Sequence, residues 1–499
     1  MANLATRLAV LICGAFLPAH ADVTLPRLLG DHMVLQRGLP VHIWGRAAAG
    51  EPVTVEFRGE TRSATADPIG QWSVYLPPAE AGGPFDLTIK AGNTIRVRDV
   101  LVGDVWVASG QSNMEFPVKG AVNSAAEMAR ADNPRIRLFH VKNKVGPYPL
   151  DDVAAEPWTA CTPESVGEFS AVAYFFGRHL LEKAGVPIGL IETSWGGTPA
   201  EAWTSQRALS ADASLMPVYA EWAKMNDDAA MHRQLRAKEL DRWRSAVERA
   251  KAEGKEPPGF PWEPNIDNSW MPSGLYNAMI SPLTRFPIRG VIWYQGESNA
   301  SRERAPLYAR LFATMIQDWR HAWGQGDFPF LFVQLANFKA KDAKWPELRE
   351  AQRQTLSLAN TGMAVTIDIG TPDDIHPKNK QDVGLRLALA ARALAYGEKI
   401  EYSGPMFRQA TPEGKTLRVR FDHTGTGLVA KGSILLGFEV AGADGKFVPA
   451  DAMIDGTTVK VSSGAVVEPV QVRYGWKDDP GCNLYNAEGL PASPFESRD

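Results

Sequence analysis

Cysteine is scarce in this chain, with three residues among 499. That excludes a disulfide framework, and no cysteine–histidine cluster has zinc-ligand spacing, so no structural metal and no cofactor is expected. Charge of one sign is lacking too. Acids and bases are mixed, the formal charge is −4, and no basic block or stripe marks a nucleic-acid partner. No apolar run is long enough to span a membrane. The short run Leu8 to Leu17 follows Arg7 and precedes Ala19-His20-Ala21. This is the charged, apolar and small-x-small order of an export leader at 1–21, so the mature chain is expected to start at Asp22 and to be secreted or periplasmic. Cys13 leaves with the leader, and Cys161 and Cys482 remain, free to pair only if the fold brings them together. Repeats and low-complexity segments are also missing.

What is present is a soluble-protein composition, 44% apolar and 22% charged, over a length that calls for several domains. Residues 22–98 carry short alternating runs such as Val53-Thr54-Val55-Glu56-Phe57 and Trp72-Ser73-Val74-Tyr75-Leu76 between Gly-, Pro- and Asp-rich turns. They predict a β-sandwich. From 99 to 400 the pattern alternates. Buried strands are expected at 104–108, 188–192, 289–294, 329–335 and 363–368, and helices at 170–184, 306–322, 346–359 and 378–397. Strand–helix alternation predicts an α/β domain with a parallel sheet covered on both faces. A charged, Ala-rich helical stretch at 228–253 and the loop Pro257-Pro258-Gly259-Phe260-Pro261-Trp262 interrupt it. The interruption, 205–270, reads either as a helical insertion over one face of the site or as a solvated excursion. After 401 strands return, and 401–499 is expected to be a C-terminal β domain.

Chemistry enters at Gly110-Gln111-Ser112-Asn113-Met114, directly after the apolar run Val105-Trp106-Val107-Ala108. A serine on a glycine-flanked turn past a strand is placed to act as a nucleophile. Three later segments supply what it needs. Trp195-Gly196-Gly197-Thr198 offers backbone N–H groups unobstructed by side chains, Gln295 of Tyr294-Gln295-Gly296-Glu297-Ser298-Asn299 offers an amide, and Asp373-Asp374-Ile375-His376-Pro377 offers a base. Either Asp373 or Asp374 has the spacing to orient His376. In an open α/β sheet, segments that follow strand ends converge on one crevice. The Ser112 motif is not Gly-x-Ser-x-Gly, and acid and base are nearly adjacent. Both features point away from the α/β-hydrolase architecture.

These blocks, with Met33-Val34-Leu35-Gln36-Arg37 and Val102-Gly103-Asp104-Val105-Trp106 in front and Asp374-Ile375-His376-Pro377-Lys378-Asn379-Lys380 behind, resemble the sialate O-acetylesterase family. That family belongs to the SGNH hydrolases and is similar to carbohydrate esterase family 6. The resemblance implies an SGNH-type α/β/α catalytic domain and hydrolysis of acetyl esters on sugars through a serine acetyl-enzyme. Ser112 is then the nucleophile and His376 the base. Ser112, Gly197 and Gln295 form the oxyanion hole. The broader SGNH pattern puts the orienting acid at Asp373, whereas the sialate-type motif favours Asp374. The expected partner is an O-acetylated sugar or polysaccharide, either O-acetyl sialic acid or acetylated xylan or xyloglucan. Trp195 and Trp293, with Trp106 and Trp203 nearby, are candidates to stack on sugar rings, and Arg302 and Arg304 to read a sialate carboxylate. A non-catalytic carbohydrate-binding protein would need neither Ser112 nor His376.

Overall fold

The structure, a computed structural model, describes residues 22–259 and 269–497, with the side chains of 226–235 left aside. The expected leader and the end of the loop at Phe260 to Trp262 lie outside the described residues. A central sheet orders six strands as β6-β5-β4-β1-β3-β2, where β1 is Thr94–Gly110, β2 Asn133–His140, β3 Ile188–Ser194, β4 Gly290–Tyr294, β5 Phe330–Val333 and β6 Thr361–Ala364. Every pairing along this path is parallel. Helix α1 (Ser112–Glu115) follows β1 directly. Helices α2 (Ala171–Ala184) and α6 (Lys380–Leu394) pack on each other, as do α4 (Ala305–Trp323) and α5 (Trp345–Gln354). Trp106 meets Phe176 of α2, whereas Trp293 meets Phe312 and Trp319 of α4. The two helix layers thus bury opposite faces, which is why the strands read as near-continuous apolar runs.

β1 shows how sequence pattern sets the architecture. Its first half, Ile95-Arg96-Val97-Arg98, alternates and pairs antiparallel with Gly82–Lys90 of the front β module. Its second half is mostly apolar, with Asp104 and Ser109 the polar exceptions, is buried on both faces, and pairs with β3 and β4. The division expected between 98 and 99 falls inside this strand. One continuous core runs from Val23 to Met406, and a separate one, Leu417 to Phe495, fills the C-terminal β module. The motifs at 33–37 and 102–106 join the first two parts. Buried Asp104 accepts from Gln36 Nε2 (3.1 Å), from Arg37 Nε and Nη2 (2.9 and 3.0 Å) and from the Tyr396 hydroxyl (2.9 Å).

Helix ends obey local chemistry. Ser170 caps α2 by accepting the Ala173 N–H at 3.2 Å. Asn379, straight after Pro377-Lys378, caps α6 by accepting the Asp382 N–H at 3.1 Å. The strand expected at 363–368 stops at Ala364, whose carbonyl still accepts the Gln334 N–H (3.0 Å), because the Gln334 carbonyl then accepts the Thr366 hydroxyl (2.6 Å) where the next main-chain bond would form. The 205–270 segment holds one long helix, α3 (Pro217–Ala252). Near its start Glu221 accepts from Arg304 Nε at 2.8 Å, and its far end is largely exposed. Cys161 and Cys482 are both free. Among the described residues, no helix is long and apolar enough to cross a membrane.

Candidate active site

The strand order reverses at β1, whose neighbours β3 and β4 enter from opposite sides, so the crevice opens at its C-terminal end. Gly110 is level with Ser194 of β3 and Tyr294 of β4. The Gln111 N–H donates to the Tyr294 carbonyl (3.0 Å) and the Trp195 N–H to the Gly110 carbonyl (3.1 Å). Three loops therefore leave the sheet at one height, and a fourth, after β6, brings His376 over them. Ser112 Oγ and His376 Nε2 are 2.9 Å apart, bridging 264 residues of sequence. Burial holds the imidazole below its ordinary pKa, Lys380 lowers it further, and Asp374 opposes both. The ring is thus the free base at neutral pH.

The two aspartates separate clearly. Asp374 accepts the His376 main-chain N–H at 2.9 Å and lies within the field of the imidazole. Asp373 is 85% exposed and faces Lys339 Nζ at 3.6 Å. Asp374→Asn is expected to lower kcat by about 10²-fold or more. Asp373→Asn should stay within about twofold, as for a surface ion pair. Steady-state kinetics of the pair with a small acetyl ester checks this, and equal losses would reject the distinction.

The Gly196-Gly197 loop lies against the nucleophile. A Cβ on Gly196 would sit 3.3 Å from Ser112 Cβ and 2.9 Å from Glu115 Oε2, and the Gly196 N–H donates to Glu115 at 2.7 Å. Trp270 Nε1 donates to the Gly197 carbonyl at 2.7 Å, and nothing among the described residues accepts from the Gly197 N–H. Gln295 is a correction to the expected oxyanion hole. It is fully buried, and both of its amide N–H groups are committed, to the Thr198 carbonyl (3.3 Å) and to Asn299 Oδ1 (2.7 Å). Its Oε1 accepts from the Tyr308 hydroxyl at 2.9 Å. It braces the loops from below.

Trp293 is a second correction. Its ring is fully buried among Trp203, Phe312 and Trp319, with no face left for a sugar, and Trp106 and Trp203 are equally buried. An indole on a strand buried on both faces points into a helix layer, not into the crevice. Trp195 alone of the four keeps partial exposure beside the site. Arg304 is buried, bound to Glu221 (2.7 Å) and Glu201 (3.6 Å), and lies 4.2 Å from the Trp270 ring centroid. Arg302 points outward near Asp342.

Four residues inside the quoted motifs carry contacts that motif reading did not assign. Gln111 Oε1 accepts from the N–H groups of Gly296 (3.4 Å) and Ser298 (3.2 Å), tying the nucleophile turn to the turn after β4. Asn113 Nδ2 donates to Glu297 Oε1 (2.6 Å) and to the Ile375 carbonyl (2.9 Å), and its Oδ1 accepts from Lys380 Nζ. Just outside the motif, Glu115 stands beside fully buried Glu192. Burial pushes both carboxyls up, Glu192 to about 8. The signal for Asn113, Glu297 and Lys380 was polarity at positions where the strand-end pattern calls for burial.

A serine hydroxyl on a histidine nitrogen, set at the switch point of a parallel sheet, is the site of a serine ester hydrolase. The profile of the carbohydrate esterases described as sialic acid-specific acetylesterases matches residues 102–237 and 263–395. The rat sialate O-acetylesterase is 33% identical over 94% of this chain and 93% of its own length. The human one is 34% identical over 76% of this chain and 72% of its own. The crystal structure of a carbohydrate acetylesterase from Xanthomonas citri superposes with a TM-score of 0.83, at 42% identity, over 96% of this chain and all of its own. The chain belongs to the sialic acid-specific acetylesterase family of carbohydrate esterases. The residues that the profile passes over, 238–262, include the exposed end of α3.

Proposed function

We propose that this serine esterase removes O-acetyl groups from sugars through an acetyl-enzyme on Ser112. His376 takes the hydroxyl proton as Ser112 Oγ attacks the acetyl carbonyl, and returns it to the departing sugar alcohol. Water, activated by the same imidazole, then releases acetate. Asp374 holds the histidine segment and favours the imidazolium that forms transiently. The developing oxyanion is met by the N–H of Ser112, which as the first residue of α1 has no intrahelical acceptor, and by that of Gly197. The 2.9 Å contact between Ser112 Oγ and His376 Nε2 carries this reading. O-acetyl sialic acid is the first substrate proposed, since the rat and human relatives are sialate O-acetylesterases, and export is proposed from the leader at 1–21.

A second reading, a neutral acetylated polysaccharide such as acetylated xylan or xyloglucan, draws on the charges at the site. Glu115 stands against the Gly196 loop, and Arg304, one of the two arginines that follow the third block, already has two carboxylates. The test is acetate release by the mature protein on 9-O-acetyl sialic acid and on acetylated xylan, with Ser112→Ala as the control. Preference for the sialate supports the first reading and preference for the polymer the second. Release from neither, or undiminished release by Ser112→Ala, rejects the proposal.

A further inference from the structure

Lys380 is the last residue of Asp374-Ile375-His376-Pro377-Lys378-Asn379-Lys380 and the first of α6, and its side chain is fully buried. Lysine seldom occupies such a place unless partnered. Its Nζ donates to Asn113 Oδ1, and lies 4.9 Å from the Phe116 ring centroid and 5.3 Å from that of Tyr294. Glu297 stands on the other side of Asn113, with Oε1 accepting from Asn113 Nδ2 at 2.6 Å and Oε2 buried without a hydrogen-bond partner among the described residues. The remaining Asn113 N–H reaches the carbonyl of Ile375, the residue before the base. Asn113 follows the nucleophile directly. The Ser112–His376 contact is thereby bracketed by a second link between their sequence neighbours, with an ammonium and a carboxylate at its two ends.

We propose that Lys380 is a positioning residue for this esterase. Through Asn113 it holds the histidine segment on the nucleophile turn, and its buried positive charge disfavours a second positive charge on His376. The proposal rests on His376 being the catalytic base.

The charges around His376 are few. Its own loop carries Asp374, bound to the His376 main-chain N–H and acting on the ring through its charge, with Asp373 turned out to Lys339. Glu115 of α1 is bound to Gly196, Glu297 comes from the turn after β4, and the loop 195–198 carries no charged residue. Lys380 is the cation among them that lowers the imidazole, against Asp374, which raises it. Burial pushes the Lys380 ammonium itself down to about 7, against the pull of Glu297 and Asp374. The sign follows. A charged Lys380 disfavours the imidazolium and so delays protonation of the imidazole as pH falls. The base stays available into mild acid.

The test is the pH profile of kcat/KM for Lys380→Met with 4-nitrophenyl acetate, a substrate that requires no particular sugar. The acid limb is expected to move up by about 0.5 to 1 pH unit, with a fall in kcat from the lost link to Asn113. A folded variant whose activity drops equally at every pH, its midpoint unmoved, overturns the proposal. Loss of activity in His376→Ala is read separately and reports on the base itself. Should Lys380→Met fail to fold, the wild-type enzyme with ¹³Cε-labelled lysine decides. One lysine titrating about three units below the rest supports the buried ammonium, and all lysines titrating together near 10 overturns it.

Discussion

Ser112→Ala lowers kcat for acetyl ester hydrolysis by about 10⁴-fold or more, His376→Ala does the same, and the double variant is no worse than either alone. The reason is that hydroxyl and imidazole act as one unit. Without the base, the serine must lose a proton of high pKa to water, and without the serine, the base has no positioned nucleophile. Stability should hardly change. Ser112 is partly exposed, and its side chain hydrogen-bonds to His376, so truncation loses about 1 kcal/mol at most. Kinetics beside a thermal melt separates the two effects. Activity within about tenfold of wild type, in either variant, would reject the pair as the catalytic centre.

The second large effect is expected at Gly110, which touches no substrate. Its φ is +139°, and a Cβ there would lie 2.1 Å from the Tyr294 carbonyl oxygen and 2.7 Å from the carbonyl carbon. Both are backbone atoms of β4 and have no rotamer with which to yield. Gly110→Ala must push β1 from β4 where the nucleophile turn begins, costing about 3 kcal/mol or more. A shift of about 1 Å in Ser112 relative to His376 costs on the order of 10² in kcat. Gly185→Ala is the control: φ is +66° there but nothing lies within 4 Å, so it should cost about 1 kcal/mol and no activity. If the two variants melt and turn over alike, close strand approach is not what requires the glycine at 110.

The order of strands and helices from 99 to 400 was readable because burial on both faces of a parallel strand leaves continuous apolar runs, and helix layers leave a period near four. Boundaries slipped where a side chain took over a backbone partner, as the Thr366 hydroxyl does at the Gln334 carbonyl. Ser112 and His376 were legible because a polar residue on a strand-end turn has few structural reasons to be there. Gln295 and Trp293 were misread for one common reason. Residues at the same strand end differ in whether they face the crevice or a helix layer, and a motif carries no direction. Asp373 and Asp374 were indistinguishable by spacing, since adjacent residues point apart only once the loop has a shape.

Local sequence therefore dictated the elements, their parallel sheet and the loops that carry chemistry, since periodicity and turn residues act over a few positions. It equally placed the chain in its family through blocks whose order survives. The tertiary structure alone decided which of those residues meet. Ser112 and His376, Asn113 and Lys380, Gln111 and Ser298 are all joined by contacts of long sequence separation, made by strand order and by a crevice where three strands end at one level. The charge on a buried lysine, the free base beside it and the exposure of one aspartate over its neighbour follow from desolvation and distance, which exist only once the chain has closed on itself.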